Sequence, residues 1–280
     1  MKRYWQILRE QRRPGKFLLS RVLMRLGISR WLTIRQPGFV LRFHPSSLSA
    51  ALWIDADDHQ AEAIFFRRYL RPGDVVLDVG ANVGLTTLVA SRAVGDSGKV
   101  YAFEPHPAVF AFLEDNLALN GAGNVVAENV ALGDREGTVC ISDMRSDDHN
   151  YVESSGAGLE VPERRLDQLD TGERRVSLLK IDVEGYERFV LEGAAKTLDR
   201  TDCVFFESWD QHFARYDYGS TDLLRWLGER GWTVFRLEAN DRVRPVPPDY
   251  ASSEAENLIA LRETGDFLER TGFTLEVGSL

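Results

Sequence analysis

The stretch Asp74-Val75-Val76-Leu77-Asp78-Val79-Gly80-Ala81-Asn82-Val83-Gly84 is a run of β-branched and apolar residues that stops at a glycine turn. It reads as a buried strand over Val75 to Val79, a sharp turn, and a helix over 84–93. Glycines at 80 and 84 allow the backbone to turn tightly and to approach a ligand, because a Cβ at either point would obstruct it. The spacing is Gly-x-x-x-Gly. A dinucleotide fold would show Gly-x-Gly-x-x-Gly, and Asn82 stands where the second of those glycines would meet a pyrophosphate. No Gly-Lys-Ser or Gly-Lys-Thr follows, which excludes a phosphate-cradling loop of that type. The turn suits a ligand without a pyrophosphate.

Twenty-four residues beyond Gly80, Phe103-Glu104-Pro105 closes a second strand. An acid at that strand tip is placed to accept hydrogen bonds from both hydroxyls of a ribose. The glycine turn and the spaced acid together imply an adenosine-type ligand. Outward from this pair, short β-rich runs alternate with helical stretches, the pattern of a parallel sheet covered by helices. Strands are predicted at Val75 to Val79, Val100 to Phe103, Val125 to Ala131, Val176 to Ile181, Val204 to Glu207, Thr233 to Leu237 and Leu258 to Leu261, with helices over 84–93, 107–120, 187–199 and 221–230. Between 133 and 175 only Thr138 to Ser142 looks strand-like, and so long an irregular stretch reads as a functional loop or lid. Residues 36–70 read as a β-containing lead-in followed by a helix with Ala61, Ile64, Phe65 and Tyr69 on one face.

The 280 residues carry a formal charge of −9. Residues 1–35 hold ten Lys or Arg and one acid, Glu10, so this arm carries +9 and the remaining body −18. An acidic body excludes a general nucleic-acid binder, whose affinity comes from neutralising phosphates. Leu19, Leu23 and Leu26 share a helical face with Val22 beside them, while Arg21 and Arg25 lie on another side; Trp5 and Leu8 precede Pro14-Gly15. Residues 1–30 therefore read as an interfacial amphipathic segment in peripheral contact with an anionic membrane surface, with a helix covering the domain or meeting a partner subunit as the competing reading. Arg21 and Arg25 interrupt the apolar run that a signal peptide needs, and a cytoplasmic protein, peripheral at the inner face of the membrane, is expected. Cys140 and Cys203 show neither zinc nor disulfide spacing and read as buried thiols. The expected organisation is a basic arm over 1–35 and a domain over 36–280 with its core at about 55–262.

Four segments, Val-Leu-Asp-Val-Gly-Ala-Asn-Val-Gly, Phe-Glu-Pro, Val-Ala-Leu-Gly-Asp-Arg-Glu-Gly and Leu-Leu-Lys-Ile-Asp-Val-Glu-Gly-Tyr-Glu, occur in this order. In them the chain resembles the FkbM family of S-adenosylmethionine-dependent methyltransferases, from about residue 55 to 240. The resemblance implies a Rossmann-like class I methyltransferase fold, α/β with a mostly parallel seven-stranded sheet whose last strand is antiparallel, and methyl transfer to hydroxyls of sugars or natural products. Carried over by position, Asp78, Gly80, Asn82 and Gly84 would line the methionine end of S-adenosylmethionine. Glu104 would hold the ribose and Asn129 would sit near the adenine.

A hydroxyl acceptor must lose its proton, so a carboxylate or histidine is needed at the carboxyl edge of the sheet. Lys180-Ile-Asp182-Val-Glu184-Gly185 supplies Asp182 and Glu184 in the turn after the fourth strand, and Glu207 ends the fifth. The competing reading makes Asp182 a helix cap and Glu184 a neighbour of the helix N-terminus. Asp182 and Glu207 could divide the roles of base and orienting group, or hold a divalent metal with a third ligand from Asp143, Asp147, Asp148, His149 or Asn150. His149 or His212 could be the base instead. Trp209, Phe213, Tyr216 and Tyr218 could pack against sugar rings or in the core. The expected function is methylation of a hydroxyl on a carbohydrate, glycan or glycosylated metabolite. A nitrogen- or protein-directed methyltransferase and a non-catalytic cofactor-binding scaffold of a glycan-assembly complex are the alternatives. The sequence carries no signal of oligomeric state.

Overall fold

In the computed structural model, which describes residues 13–57, 60–143, 150–153, 156, 158–172 and 174–276, a lead-in precedes the sheet. It comprises α1 (Pro14–Arg25), the hairpin β1 (Thr33–Gln36) and β2 (Phe39–Arg42), α2 (Ser47–Ile54) and α3 (Gln60–Tyr69). Alternation then follows through β3 (Val75–Val79), α4 (Leu85–Val94), β4 (Lys99–Phe103), α5 (Pro107–Asn120) and β5 (Val125–Glu128). The chain next forms β6 (Ala131–Leu132), β7 (Gly137–Ile141) and β8 (Leu159–Arg164), then β9 (Val176–Ile181), α6 (Glu187–Glu192), α7 (Ala195–Leu198) and β10 (Thr201–Ser208). It closes with α8 (Asp210–Phe213), α9 (Ser220–Gly228), β11 (Thr233–Glu238), β12 (Arg242–Pro245), β13 (Glu256–Leu261), α10 (Thr264–Thr271) and β14 (Thr274–Leu275).

Nine strands form one sheet in the order β14-β12-β11-β13-β10-β9-β3-β4-β5. From β10 to β5 every pairing is parallel, while β13 runs antiparallel to both β10 and β11. The seven strands from β11 to β5 are thus the expected Rossmann-like methyltransferase sheet with an antiparallel last strand, and β12 and β14 extend its β11 edge. Strands buried on both faces read as continuous apolar runs; Val75–Val79 and Val176–Ile181 are buried at every position. Successive residues feed opposite cores. Val76 packs with Phe65, Phe66 and Phe205 on one face, and Val75 and Leu77 with Leu179 and Leu223 on the other.

Several sequence expectations need correction. The helix over 187–199 breaks at Gly193, where an added Cβ would stand 1.9 Å from the carbonyl oxygen of Gly133. Close backbone packing there forbids both a side chain and a straight helix. The strand from Val125 ends at Glu128, and Ala131–Leu132 joins a separate three-stranded sheet, β6-β8-β7, in the stretch expected to be irregular. On α3 the buried residues are Ala63, Phe65, Phe66 and Tyr69, while Ile64 is 52% exposed. Cys203 is buried, but Cys140 is only half-buried.

The boundary at 35/36 runs through β1, so the hairpin belongs wholly to the lead-in. That lead-in is tied to the body: Asn116 Oδ1 accepts the Arg42 N–H at 2.7 Å and Asn120 Oδ1 that of Val40 at 3.0 Å. On α1, Phe17 and Ser20 are buried, and Arg13 donates to the carbonyl of Ile54 at 3.0 Å.

Candidate active site

In parallel α/β sheets ligands bind outside the carboxyl ends of the strands. Here that edge opens into a cavity of about 330 Å³ walled by the ends of β3, β4, β9 and β10. The βα turns that form its floor are tight. Gly80 adopts φ +78° and an added Cβ would lie 1.8 Å from the carbonyl oxygen of Asp182, so its bareness lets two turns abut. Gly84, at φ +92°, faces Leu113 Cδ1 at 2.7 Å from its missing Cβ and does not border the cavity. Asn82 and Glu184 hold φ of 48° and 57°, left-handed backbone that non-glycine residues adopt only when surroundings enforce it.

Glu104, at the tip of β4, has its carboxylate fixed by backbone: Asn82 N–H donates to Oε2 and His106 N–H to Oε1, both at 2.9 Å. It lines the cavity with Gly80 and Asn82. Asn129 stands behind it, its Nδ2 donating to the carbonyls of Glu104 at 2.7 Å and Pro105 at 2.8 Å. Asn129 therefore positions the acid rather than lining the cavity. Asp78 is also displaced from its expected place on the wall. It is fully buried, accepts from Thr86 Oγ1 at 2.9 Å and Thr87 Oγ1 at 2.6 Å, and lies 3.3 Å from Lys180 Nζ.

Lys180 anchors the polar interior. Its ammonium donates to the carbonyl of Gly80 at 2.7 Å and lies 3.4 Å from Asp182 Oδ2. Burial alone would lower its pKa, but Asp78 and Asp182 outweigh that and hold it raised. Asp182 is 41% exposed toward the cavity. Enclosure raises its pKa, Lys180 pulls it back and Glu207 raises it again, leaving it at about 6. Glu184 is pushed up to about 9 by burial and then by Asp182, Glu207 and Glu187. Glu207 lines the same wall, and His212 Nδ1 lies 3.2 Å from Glu184 Oε2 and 3.4 Å from Glu207 Oε2.

Asp182, Glu184 and Glu207 thus converge as expected on one rim. His149, Asp147 and Asp148 lie outside the described residues. Asp143 is exposed and sits 3.5 Å from His106, and the metal-capable grouping among the described residues is Glu184, Glu207 and His212 rather than one containing Asp182. Phe213 and Tyr218 pack in the core, whereas Trp209 borders the cavity and lies 4.2 Å from the His212 ring. Lys180 lies in the Lys-Ile-Asp-Val-Glu-Gly motif, but local sequence gives it no role. Glu62 of α3 and Asn257 of β13, joined by a 3.0 Å hydrogen bond, also line the cavity, and no local signal marked them.

A second cavity, of about 660 Å³, adjoins the first and shares Glu62, Ala255 and Asn257 with it. Its wall carries Glu62, Glu254 and Glu256, together with Glu238, which is paired with Arg236 and Arg244, and Asp241, which is paired with Arg68.

Residues 78–234 match the model of the methyltransferase FkbM domain. The chain is 29% identical over 201 residues to "Methyltransferase 1" of Beauveria bassiana, covering 62% of this chain and 76% of that protein. It is 33% identical over 159 residues to the 31-O-demethyl-FK506 methyltransferase FkbM of Streptomyces tacrolimicus, covering 44% and 60%. Against the hexuronic acid methyltransferase AglP of Haloferax volcanii it is 29% identical over 138 residues, covering 48% and 55%. The chain thus spans between half and two-thirds of the last two proteins.

Proposed function

The chain belongs to the FkbM family of S-adenosylmethionine-dependent methyltransferases, and from that premise we propose that it methylates a hydroxyl of a neutral or amino-bearing carbohydrate or glycosylated metabolite. The observation that carries this reading is the acidic second cavity, continuous in its walls with the first through Glu62 and Asn257. Carboxylates accept hydrogen bonds from sugar hydroxyls and attract ammonium groups, and they repel a uronate. A hexuronic acid, the acceptor in the name of the Haloferax relative, fits this wall poorly.

The first cavity fits the cofactor. Glu104, held by two backbone N–H groups, would accept the ribose hydroxyls, and Gly80 and Asn82 would border the methionine end. The carboxylates of Glu62, Asp182 and Glu207 on its wall favour a cationic ligand. When bound, S-adenosylmethionine supplies a methyl group made electrophilic by its sulfonium. The protein holds the acceptor oxygen in line and removes its proton. Asp182, fixed by Lys180 and open to the cavity, is the group placed to take that proton, with Glu207 orienting the hydroxyl.

The test is a panel of neutral, amino and uronic sugars and their glycosides, read by mass for the gain of one methyl. Neutral or amino acceptors should be methylated on oxygen, and Asp182→Asn should lose about 10²- to 10⁴-fold in rate while still binding cofactor. Preference for uronates, methylation on nitrogen, or undiminished turnover in Asp182→Asn would each refute it.

We also infer that the enzyme works at an anionic membrane surface. The supporting observation is the outer side of α1 and the turn after it, where Leu19, Val22, Leu26 and Trp31 are exposed beside Arg21, Arg25 and Arg30, whereas Leu23, expected on the same face, packs against the core. Among the described residues no helix is long and apolar enough to cross a membrane, so contact would be peripheral.

A further inference from the structure

Three potential ligand atoms from separate segments meet at one end of the cavity wall. Glu184 comes from the turn after β9, Glu207 from the end of β10 and His212 from α8, and one ligand atom of each lies within 4.8 Å of the others. His212 is only 4% exposed, so its ring position is set by packing. Trp209 packs against it as a tilted ring, 4.2 Å between centroids and 54° between planes. Its Nδ1 points between two carboxylate oxygens, at 3.2 Å and 3.4 Å, yet makes no hydrogen bond among the described residues. A buried imidazole nitrogen directed at two carboxylates without donating to either calls for a group that all three share.

The two separations from His212 Nδ1, 3.2 Å and 3.4 Å, are those of neighbouring ligands around one ion, and the third is within 4.8 Å. With metal–ligand bonds of about 2.1 Å, neighbouring ligand atoms stand roughly 3.0 Å apart in octahedral and 3.4 Å in tetrahedral geometry. Two carboxylates supply the negative charge that a divalent ion requires. The imidazole selects against Ca²⁺, which takes oxygen ligands, and toward ions of intermediate softness. We propose that Glu184, Glu207 and His212 bind a divalent cation of the Mn²⁺ or Zn²⁺ kind. Three protein ligands leave coordination positions open toward the cavity, where Glu207 and Trp209 also face. A hydroxyl of the acceptor would enter there, which places the cation on the acceptor side and beside Asp182. The site extends the proposed methyl transfer to this rim, and cation binding is measurable without it.

The experiment strips the full-length protein with chelator and titrates it with MnCl₂ in the absence of cofactor and acceptor, following free Mn²⁺ by electron paramagnetic resonance. One saturable site per chain is expected, with at least tenfold weaker binding in Glu207→Gln and in His212→Gln. Asp182→Asn should bind within about threefold of the wild type, because Asp182 turns to Lys180. Co²⁺ should quench part of the tryptophan fluorescence in the wild type and less in Trp209→Phe. If His212→Gln does not fold, Glu207→Gln with an unchanged near-ultraviolet circular dichroism spectrum decides the matter. Absence of saturable binding, binding unaffected in folded Glu207→Gln, or binding abolished by Asp182→Asn would overturn the assignment. Methyl transfer scored by mass in the same preparations shows separately whether the proposed function stands.

Discussion

Lys180 places an ammonium where the fold admits almost no water, with its side chain 3% exposed. Two carboxylates, Asp78 and Asp182, and the carbonyl of Gly80 surround it. Removing one member of a buried ion pair leaves the other uncompensated, at a cost of about 3–5 kcal/mol. Lys180→Met should therefore lower the unfolding free energy by that amount at neutral pH, read as a lower urea midpoint. Asp78→Asn combined with Lys180→Met should recover much of it, because no buried charge is then left between them. Recovery absent from the double variant would show that Lys180 acts through packing alone. Glu187 presents the opposite case. It is fully buried at the start of α6, accepts the Val183 N–H at 3.0 Å, and is pushed up to about 8, mainly by burial. A carboxyl whose folded pKa is raised stabilises fully below its unfolded value and loses that contribution as pH rises through the folded one. Stability should thus fall between about pH 4.5 and pH 8, by on the order of a few kcal/mol from this group. Glu187→Gln should flatten that slope, so that thermal melts of variant and wild type converge at the acid end and separate toward pH 8. Parallel slopes would remove Glu187 as the source.

At the scale of elements, the connections between strands and helices carry the tightest constraints. Gly80→Ala would drive a Cβ to 1.8 Å from a backbone oxygen of Asp182 at a residue with φ +78°, and Gly193→Ala would do the same against Gly133 at 1.9 Å. Each should destabilise by several kcal/mol, because backbone on both sides must move. Gly80→Ala should also displace Asp182 and reduce methyl transfer beyond what the stability loss explains. Gly123→Ala, with open space around it, is the control and should shift the melting temperature little. The same contacts explain what could be read from sequence. The buried parallel strands and the acids at their carboxyl ends were legible, since a strand covered on both faces is apolar throughout and its tip is where chemistry belongs. The break at Gly193 was not, because it depends on Gly133, sixty residues away. β8 was obscured by Pro162 and by charged residues on a short strand, one of which, Glu163, is buried against Tyr186 and Arg135. The sequence places Asp78 and Asn129 on the wall of the site, whereas in the structure they hold Lys180 and Glu104 from behind. The distinction lies in three-dimensional depth, which spacing along one chain does not encode.

At the scale of the whole molecule, the charge of −9 divides into a +9 arm over 1–35 and a −18 body. The body concentrates carboxylates around the two cavities, while the described part of the arm turns an apolar strip outward, with Val22 52%, Leu26 64% and Trp31 74% exposed. An isolated domain gains nothing by exposing such side chains together, and a bilayer interface accepts both them and the flanking arginines. Arg21, Arg25, Arg30 and Arg35 at an anionic surface would contribute on the order of 1 kcal/mol each, or roughly a thousandfold in partitioning when combined. The −18 body would be repelled by the same surface, which favours an orientation with the arm facing the lipid and the cavities away from direct contact. The protein should sediment with phosphatidylserine-containing vesicles at low salt, release as salt rises, and ignore vesicles of phosphatidylcholine alone. Substituting serine at Leu19, Val22 and Leu26 should weaken sedimentation at least tenfold without lowering the melting temperature, since none of these side chains is buried. Equal sedimentation of this variant and the wild type would mean that charge alone drives contact. No sedimentation of the wild type at low salt would leave the exposed face to a different partner.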